Sequence, residues 1–169
     1  DALPIWVIAE NGGISVVDGT VHVHGDREGA EAVVEEYRER GYDLGWDELA
    51  LVNRWRETEV AVSRDSPLEP LEDIAAAHGL EVVDTEYAYH VKSPDVSKGD
   101  ALKPVADDLG LDPSDFVAVG DSPNDVSLFE VAGSSFAVAN SVDVAREAAD
   151  HVTSASYADG LLEALNTFY

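Results

Sequence analysis

The chain has neither cysteine nor methionine among its 169 residues. Without cysteine there is no disulfide and no thiolate metal site. Without methionine no residue is an initiator, and the expectation is a fragment that starts downstream of its natural beginning. The first five residues do not read as structure, so Trp6 or Val7 is expected to stand near the first authentic residue. Basic residues are also few: ten bases oppose 35 acids, and Lys92, Lys98 and Lys103 are the lysines. A nucleic-acid interface needs a basic patch, and the sequence holds none. No apolar run approaches the roughly 20 residues of a membrane-spanning helix. No signal peptide is visible in these residues.

What is present is an ordinary apolar content, 45%, under an extraordinary net charge of −25. That apolar share is normal for a globular protein, and the length suffices for one good core. The acids are spread along the chain and interleave with periodic apolar positions. This pattern suits a folded domain with an acidic shell in a high-salt cytoplasm, since such a shell repels itself in dilute buffer and salt screens it. An acidic surface for a basic partner fits dispersed charge less well.

The run Phe116-Val117-Ala118-Val119-Gly120 reads as a buried parallel strand. Asp121-Ser122-Pro123-Asn124-Asp125 follows it, a turn that opens a helix. In open α/β sheets the carboxyl ends of strands are where ligands bind. Asp121 and Asp125 therefore stand where a hard cation would be held, because Mg²⁺ takes carboxylate, phosphate and water oxygens. The plain alternative is a helix cap with a second acid on the helix dipole. Upstream, Ser97-Lys98-Gly99-Asp100-Ala101-Leu102 opens another helix, expected over 98–109. A lysine in a first turn opposes the macrodipole, so Lys98 is a candidate for binding an anionic phosphate. An exposed, solvated lysine is the alternative.

Together these segments resemble the haloacid dehalogenase superfamily of phosphatases, in the subgroup with a Cof-type (C2B) α/β cap. Ile8-Ala9-Glu10-Asn11-Gly12-Gly13 resembles the end of the third core strand. Ser97 to Leu102 resembles the third motif, and Gly120 to Asp125 the fourth. Phe136 to Ser141, Ala149 to Thr153 and Asp159-Gly160 resemble the C-terminal tail. The resemblance implies a Rossmann-like α/β core with a parallel sheet and an inserted α+β cap. Residues 6–13 and 93–169 would form the core and 14–92 the cap. It implies Mg²⁺-dependent hydrolysis of a phosphomonoester through an aspartyl phosphate, in the cytoplasm. Lys98 and Asn124 would bind substrate, Asp121 and Asp125 would hold the metal directly or through water, and the partner would be a small phosphorylated metabolite.

The nucleophile of that family is the first Asp of an Asp-x-Asp-Gly-Thr motif ahead of the Glu-Asn-Gly-Gly stretch. No such residue is found here. Val16-Val17-Asp18-Gly19-Thr20 looks similar, but Val16 stands in the nucleophile's place. Ile14 to Val17 and Val21 to His24 read better as a hairpin turning at Asp18-Gly19. The nucleophile and the acid/base Asp are thus expected to precede residue 1, leaving an inactive fragment. The family's core strands run 3-2-1-4-5. With the first two missing, Trp6–Ala9 is expected either apart from Phe116–Gly120 or docked beside it.

Between hairpin and core, helices are expected over Arg27–Arg40, Asp47–Arg54 and Pro67–His78, and strands over Thr58–Ser63, Leu80–Thr85 and Tyr87–Val91. Beyond Phe116–Gly120, helix and strand signals alternate: helices 126–132, 142–149 and 158–166, strands 135–139 and 151–153. His22 and His24 share a strand face and are better read as half-exposed hairpin residues than as metal ligands. Trp46, Trp55, Tyr87 and Tyr89 are better read as cap core than as a ligand cage. His90 and Lys92 lie near the return from cap to core. A small cap and an acidic shell point, within the resemblance, to archaeal phosphoglycolate phosphatases, with sugar-phosphate phosphatases of the same cap type as rivals. A non-catalytic acidic binding protein and a response-regulator-like phosphoacceptor domain stay open. The joint presence of Lys98, Asp121, Asn124 and Asp125 argues against the first, and the long insertion after Gly13 against the second.

Overall fold

The computed structural model describes residues 6–47 and 50–168. The chain divides into two units, Asp1–Val96 and Ser97–Tyr169.

In the first unit, β1 (Val7–Ala9), β2 (Ile14–Val17) and β3 (Thr20–Val23) form an antiparallel sheet in that order. The β2–β3 turn carries Asp18 at φ 47° and Gly19 at φ 80°. Positive φ at both central residues is what a two-residue hairpin turn needs to match strand twist. β1 pairs with β2 through Val7↔Val16, Ile8↔Ser15 and Ala9↔Ile14. Among the described residues it shares no sheet with the strand at Val117–Gly120; its partner is the hairpin.

α1 (Arg27–Glu39) starts at Asp26, whose side chain accepts from the Gly29 N–H. It buries the stripe Ala30, Val33, Val34 and Tyr37, the 3–4 spacing of one helix face. β4 (Val60–Val62), β6 (Tyr89–Lys92) and β5 (Glu81–Asp84) make a second antiparallel sheet, ordered β4-β6-β5. α2 (Leu68–Ala77) joins α1 over its Val60, Val62 and Val91 face to make the unit's core.

The helix expected over Asp47–Arg54 is not observed. Residues 48 and 49 lie outside the described residues, and the rest forms turns, with Ala50 N–H on Asp47 O at 2.8 Å and Arg54 N–H on Leu51 O at 3.1 Å. The physical reason is Asn53. Its amide binds both backbone groups of Ala61, Nδ2 to O at 2.8 Å and Oδ1 from N–H at 2.7 Å. A side chain that bonds a neighbouring backbone competes with helix formation. The aromatic expectation also needs correction in part. Trp46 and Tyr89 pack against the core, whereas Trp55 and Tyr87 are 68% and 65% exposed.

The second unit is βαβ throughout. α3 (Lys98–Leu109) ends at Gly110. β7 (Val117–Gly120), α4 (Val126–Val131), β8 (Ser134–Ala137), α5 (Asp143–Ala148) and β9 (His151–Val152) follow, then α6 (Tyr157–Leu165). The sheet is parallel, ordered β7-β8-β9, with Val117↔Ser134 to Gly120↔Ala137 in register. Ala118, Phe129 and Ala145 form its buried centre.

Candidate phosphate and metal site

The site is built on the loop that leaves β7. Ser122 caps a 3-10 turn at Pro123–Asp125, and Asp125 returns the bond to the cap's backbone, a reciprocal box. Asp125 Oδ2 accepts from the N–H groups of Asp121 at 2.9 Å and Ser122 at 3.1 Å. The carboxylate is buried, so it needs these donors.

Lys98 supplies the charge. It is the first residue of α3, placed there because Ser97 caps the helix by accepting from Asp100 N–H at 3.1 Å. Its Nζ lies 2.5 Å from Asp125 Oδ1 and 3.2 Å from Asn124 Oδ1. Asn124 Oδ1 also accepts from Ser122 Oγ at 2.5 Å. Burial pushes the Asp125 carboxyl up, but Lys98 and the two backbone N–H groups outweigh it and hold the group below the ordinary carboxylate range.

Gly99 lets α3 approach α4 closely. A Cβ there would stand 2.1 Å from Ser127 O, and the Gly99 N–H bonds Ser127 Oγ at 3.2 Å. The helix carrying Lys98 is thus docked directly on the helix that follows the Asp125 turn.

The four candidate residues therefore divide. Lys98, Asn124 and Asp125 form one bonded cluster. Asp121 contributes its N–H to Asp125 and its carbonyl to the Val142 N–H at 3.0 Å, but its carboxylate is exposed and engaged by no donor of the described residues. Mg²⁺ takes one or two carboxylates and completes its shell with phosphate and water. Asp121 fits that demand. Asp125 has both oxygens committed to donors. Ser122 is a residue that sequence reasoning passed over, although Ser at a helix cap with an acid three residues on is a readable signal.

Candidates in the first unit are drawn into other pairs. His24 Nε2 lies 3.0 Å from Ser15 Oγ, and His22 stacks on His24. Lys92 Nζ meets Glu81 Oε1 at 2.5 Å. His90 Nδ1 meets Glu59 Oε1 at 2.9 Å, and Glu59 also binds Arg56 and Asn11. Burial pushes the Glu59 carboxyl up, yet His90, Asn11 and Arg56 hold it low. No short-range signal announces this network, since Asn11 and Glu59 are 48 residues apart. Among the described residues, no three His, Cys, Asp or Glu side chains come together as a metal site. Concavities of about 540, 500 and 420 Å³ flank α1 in the first unit. They hold no paired carboxylates poised beside a lysine.

Residues 72–165 match the haloacid dehalogenase-like hydrolase family. A phosphoglycolate phosphatase of Natronomonas pharaonis is 60% identical over 97% of this chain and 74% of its own length. One of Haloarcula marismortui is 55% identical over 94% of this chain and 71% of its own. Among solved structures, a Thermoplasma acidophilum protein superposes with a TM-score of 0.76 at 24% identity, over 94% of this chain and 69% of that one. A sugar phosphatase of HAD subclass IIB gives 0.75 at 15% identity, over 96% and 75%. These two likenesses speak to fold: a Rossmann-like α/β core with an α+β cap.

Proposed function

Since the chain belongs to the haloacid dehalogenase-like hydrolases and is a phosphatase of that superfamily, we propose that its reaction is the hydrolysis of 2-phosphoglycolate to glycolate and phosphate. The observation that carries this substrate is the 60% and 55% identity to relatives named for it. The likeness to a sugar phosphatase rests on 15% identity and weighs far less.

In this reading Lys98 neutralises phosphate charge. Two of its three donors go to Asp125 and Asn124, and the third serves a phosphoryl oxygen. Asp125 is a positioning residue that aims the lysine. Asn124, its carbonyl oxygen turned to Lys98 and Ser122, orients the phosphate. Asp121 and Asp125 would hold Mg²⁺, directly or through water, and the bound ion would offset charge on the phosphoryl oxygens. Phosphoryl transfer gains chiefly from such positioning and electrostatics. The bond to phosphorus is formed by an Asp of an Asp-x-Asp-Gly-Thr segment as the ester oxygen leaves and is protonated. Water then cleaves the aspartyl phosphate. No Asp-x-Asp-Gly-Thr segment occurs among the 169 residues. A small phosphorylated metabolite in the cytoplasm is the natural partner.

The test has two arms. The 169-residue polypeptide with Mg²⁺ at high salt is expected to turn over no phosphomonoester. The same polypeptide joined behind the N-terminal segment of the Natronomonas relative is expected to prefer 2-phosphoglycolate to sugar phosphates by at least tenfold in kcat/KM. Turnover by the 169 residues alone, abolished by Asp121→Ala, refutes the placement of the nucleophile. A sugar-phosphate preference in the joined chain refutes the substrate.

A further inference from the structure

The turn Glu57–Thr58 in the first unit is built as a receptor for a carboxylate. The Glu57 N–H lies 2.8 and 2.9 Å from the two oxygens of Glu10. The Thr58 N–H and hydroxyl reach Glu10 Oε2 at 2.7 and 2.6 Å. Three donors thus converge on one planar two-oxygen anion.

The donors are sharpened from behind. Arg27 Nη1 bonds the Arg56 carbonyl at 2.7 Å, and that carbonyl belongs to the same peptide group as the Glu57 N–H. A charged donor on the carbonyl polarises the peptide and strengthens its N–H. The same guanidinium nitrogen also bonds the Glu59 carbonyl at 3.0 Å. In a chain with a net charge of −25, a cation spent on polarising a turn rather than on an acid alone sets this turn apart.

The present occupant is held under strain. Glu10 and Asn11 sit at φ 50° and 55°, the left-handed region that L-residues other than glycine enter at a cost. That cost offsets part of the advantage a tethered carboxylate has over a free one. The seat is also open at its rim: Glu57 is exposed and Glu10 half-buried.

We propose that Glu57 and Thr58 form a carboxylate-binding seat, which Glu10 fills in this structure and which a free short carboxylate of the glycolate kind occupies when Glu10 leaves it. Glycolate and 2-phosphoglycolate both carry such a group. The seat itself stands on the geometry of residues 10, 27, 57 and 58, and not on the identity of the phosphate ester.

The experiment is a titration of the 169-residue chain with sodium glycolate and sodium acetate at constant ionic strength, read on the amide resonances of Glu57 and Thr58. Glu10→Gly removes the carboxylate and the strain at position 10 together. In it both amides are expected to shift saturably with either carboxylate. The native chain is expected to need at least tenfold more ligand, because Glu10 competes. If Glu10→Gly does not fold, Glu10→Gln keeps the side chain's size with a weaker acceptor, and glycolate is expected to displace it more readily than Glu10. Amides that stay unmoved in the folded variant, or move equally with added chloride, overturn the proposal.

Discussion

Glu59 in the first unit and Asp125 in the second are both buried carboxylates bound to a cation, and they differ in what stands beside them. Glu59, its side chain 1% exposed, is shared among Arg56, His90 and Asn11, and all of these are engaged with it. Asp125 is likewise consumed by Lys98 and two backbone N–H groups. Four residues away in sequence, however, Asp121 presents a carboxylate that no donor of the described residues takes. A buried ion pair by itself is therefore not a sign of chemistry. It fastens structure in both units.

The comparison is sharpest in turnover. In an active polypeptide carrying these residues, Lys98→Ala is expected to lower kcat/KM by about 10²–10³-fold, the size seen when a positioned charge-stabilising donor is removed. Asp121→Asn should fall in the same range and raise the Mg²⁺ concentration needed for half-maximal rate. Asp125→Asn should follow them, because it releases Lys98. Arg56→Ala matching Lys98→Ala on a phosphate ester without a carboxylate would erase the distinction between the units.

In stability the ranking reverses. Glu59→Ala leaves Arg56, His90 and Asn11 without their shared acceptor and is expected to cost about 3 kcal/mol in denaturant unfolding. Asp121→Asn, at an exposed and unengaged site, should stay within about 0.5 kcal/mol. Both buried carboxyls have folded pKa values below their ordinary ones. Their stabilisation is then fully present above the unfolded carboxyl values, near 4, and is lost as pH falls through the lower folded values. Glu59→Gln should accordingly flatten the acid limb of the stability curve, measured by unfolding at stepped pH. An unchanged limb would show that His90 and Arg56 do not hold Glu59 low.

Packing offers a gentler probe. Gly99→Ala forces α3 away from Ser127 and is expected to cost about 1–3 kcal/mol, while reducing activity through a displaced Lys98. Smallest of all is His22→Ala, on a half-exposed hairpin strand, where turnover and stability should both stay near those of the parent. A His22 effect larger than that of Lys98 would move the site out of the second unit.

How much of this was legible in the sequence follows the range of the forces involved. α3 begins at Lys98 and ends at Leu109, bounds readable from Ser97 and Gly110 because caps act within one turn. The β7 run and the Asp121–Asp125 turn are likewise local. The absent helix at Asp47–Arg54 depends on Asn53 finding Ala61, a choice made by the neighbouring strand edge. Trp55 and Tyr87 look like core by composition, but their exposure is settled by which face each turn presents. The division between Asp121 and Asp125 was unreadable, since both stand in one motif and what tells them apart is Lys98 from α3 and the direction of two backbone N–H groups.

The tip at Glu10–Asn11 has a consequence for chemical synthesis. Both residues occupy backbone conformations of the opposite hand, which D-amino acids prefer as L-residues prefer the ordinary ones. Any L-substitution at position 11 changes the side-chain bond to Glu59 and the backbone preference at once. A synthetic chain with D-alanine at 11 relieves the backbone while still deleting the amide. Its difference from L-alanine at that position isolates what mirror-image geometry alone costs this protein.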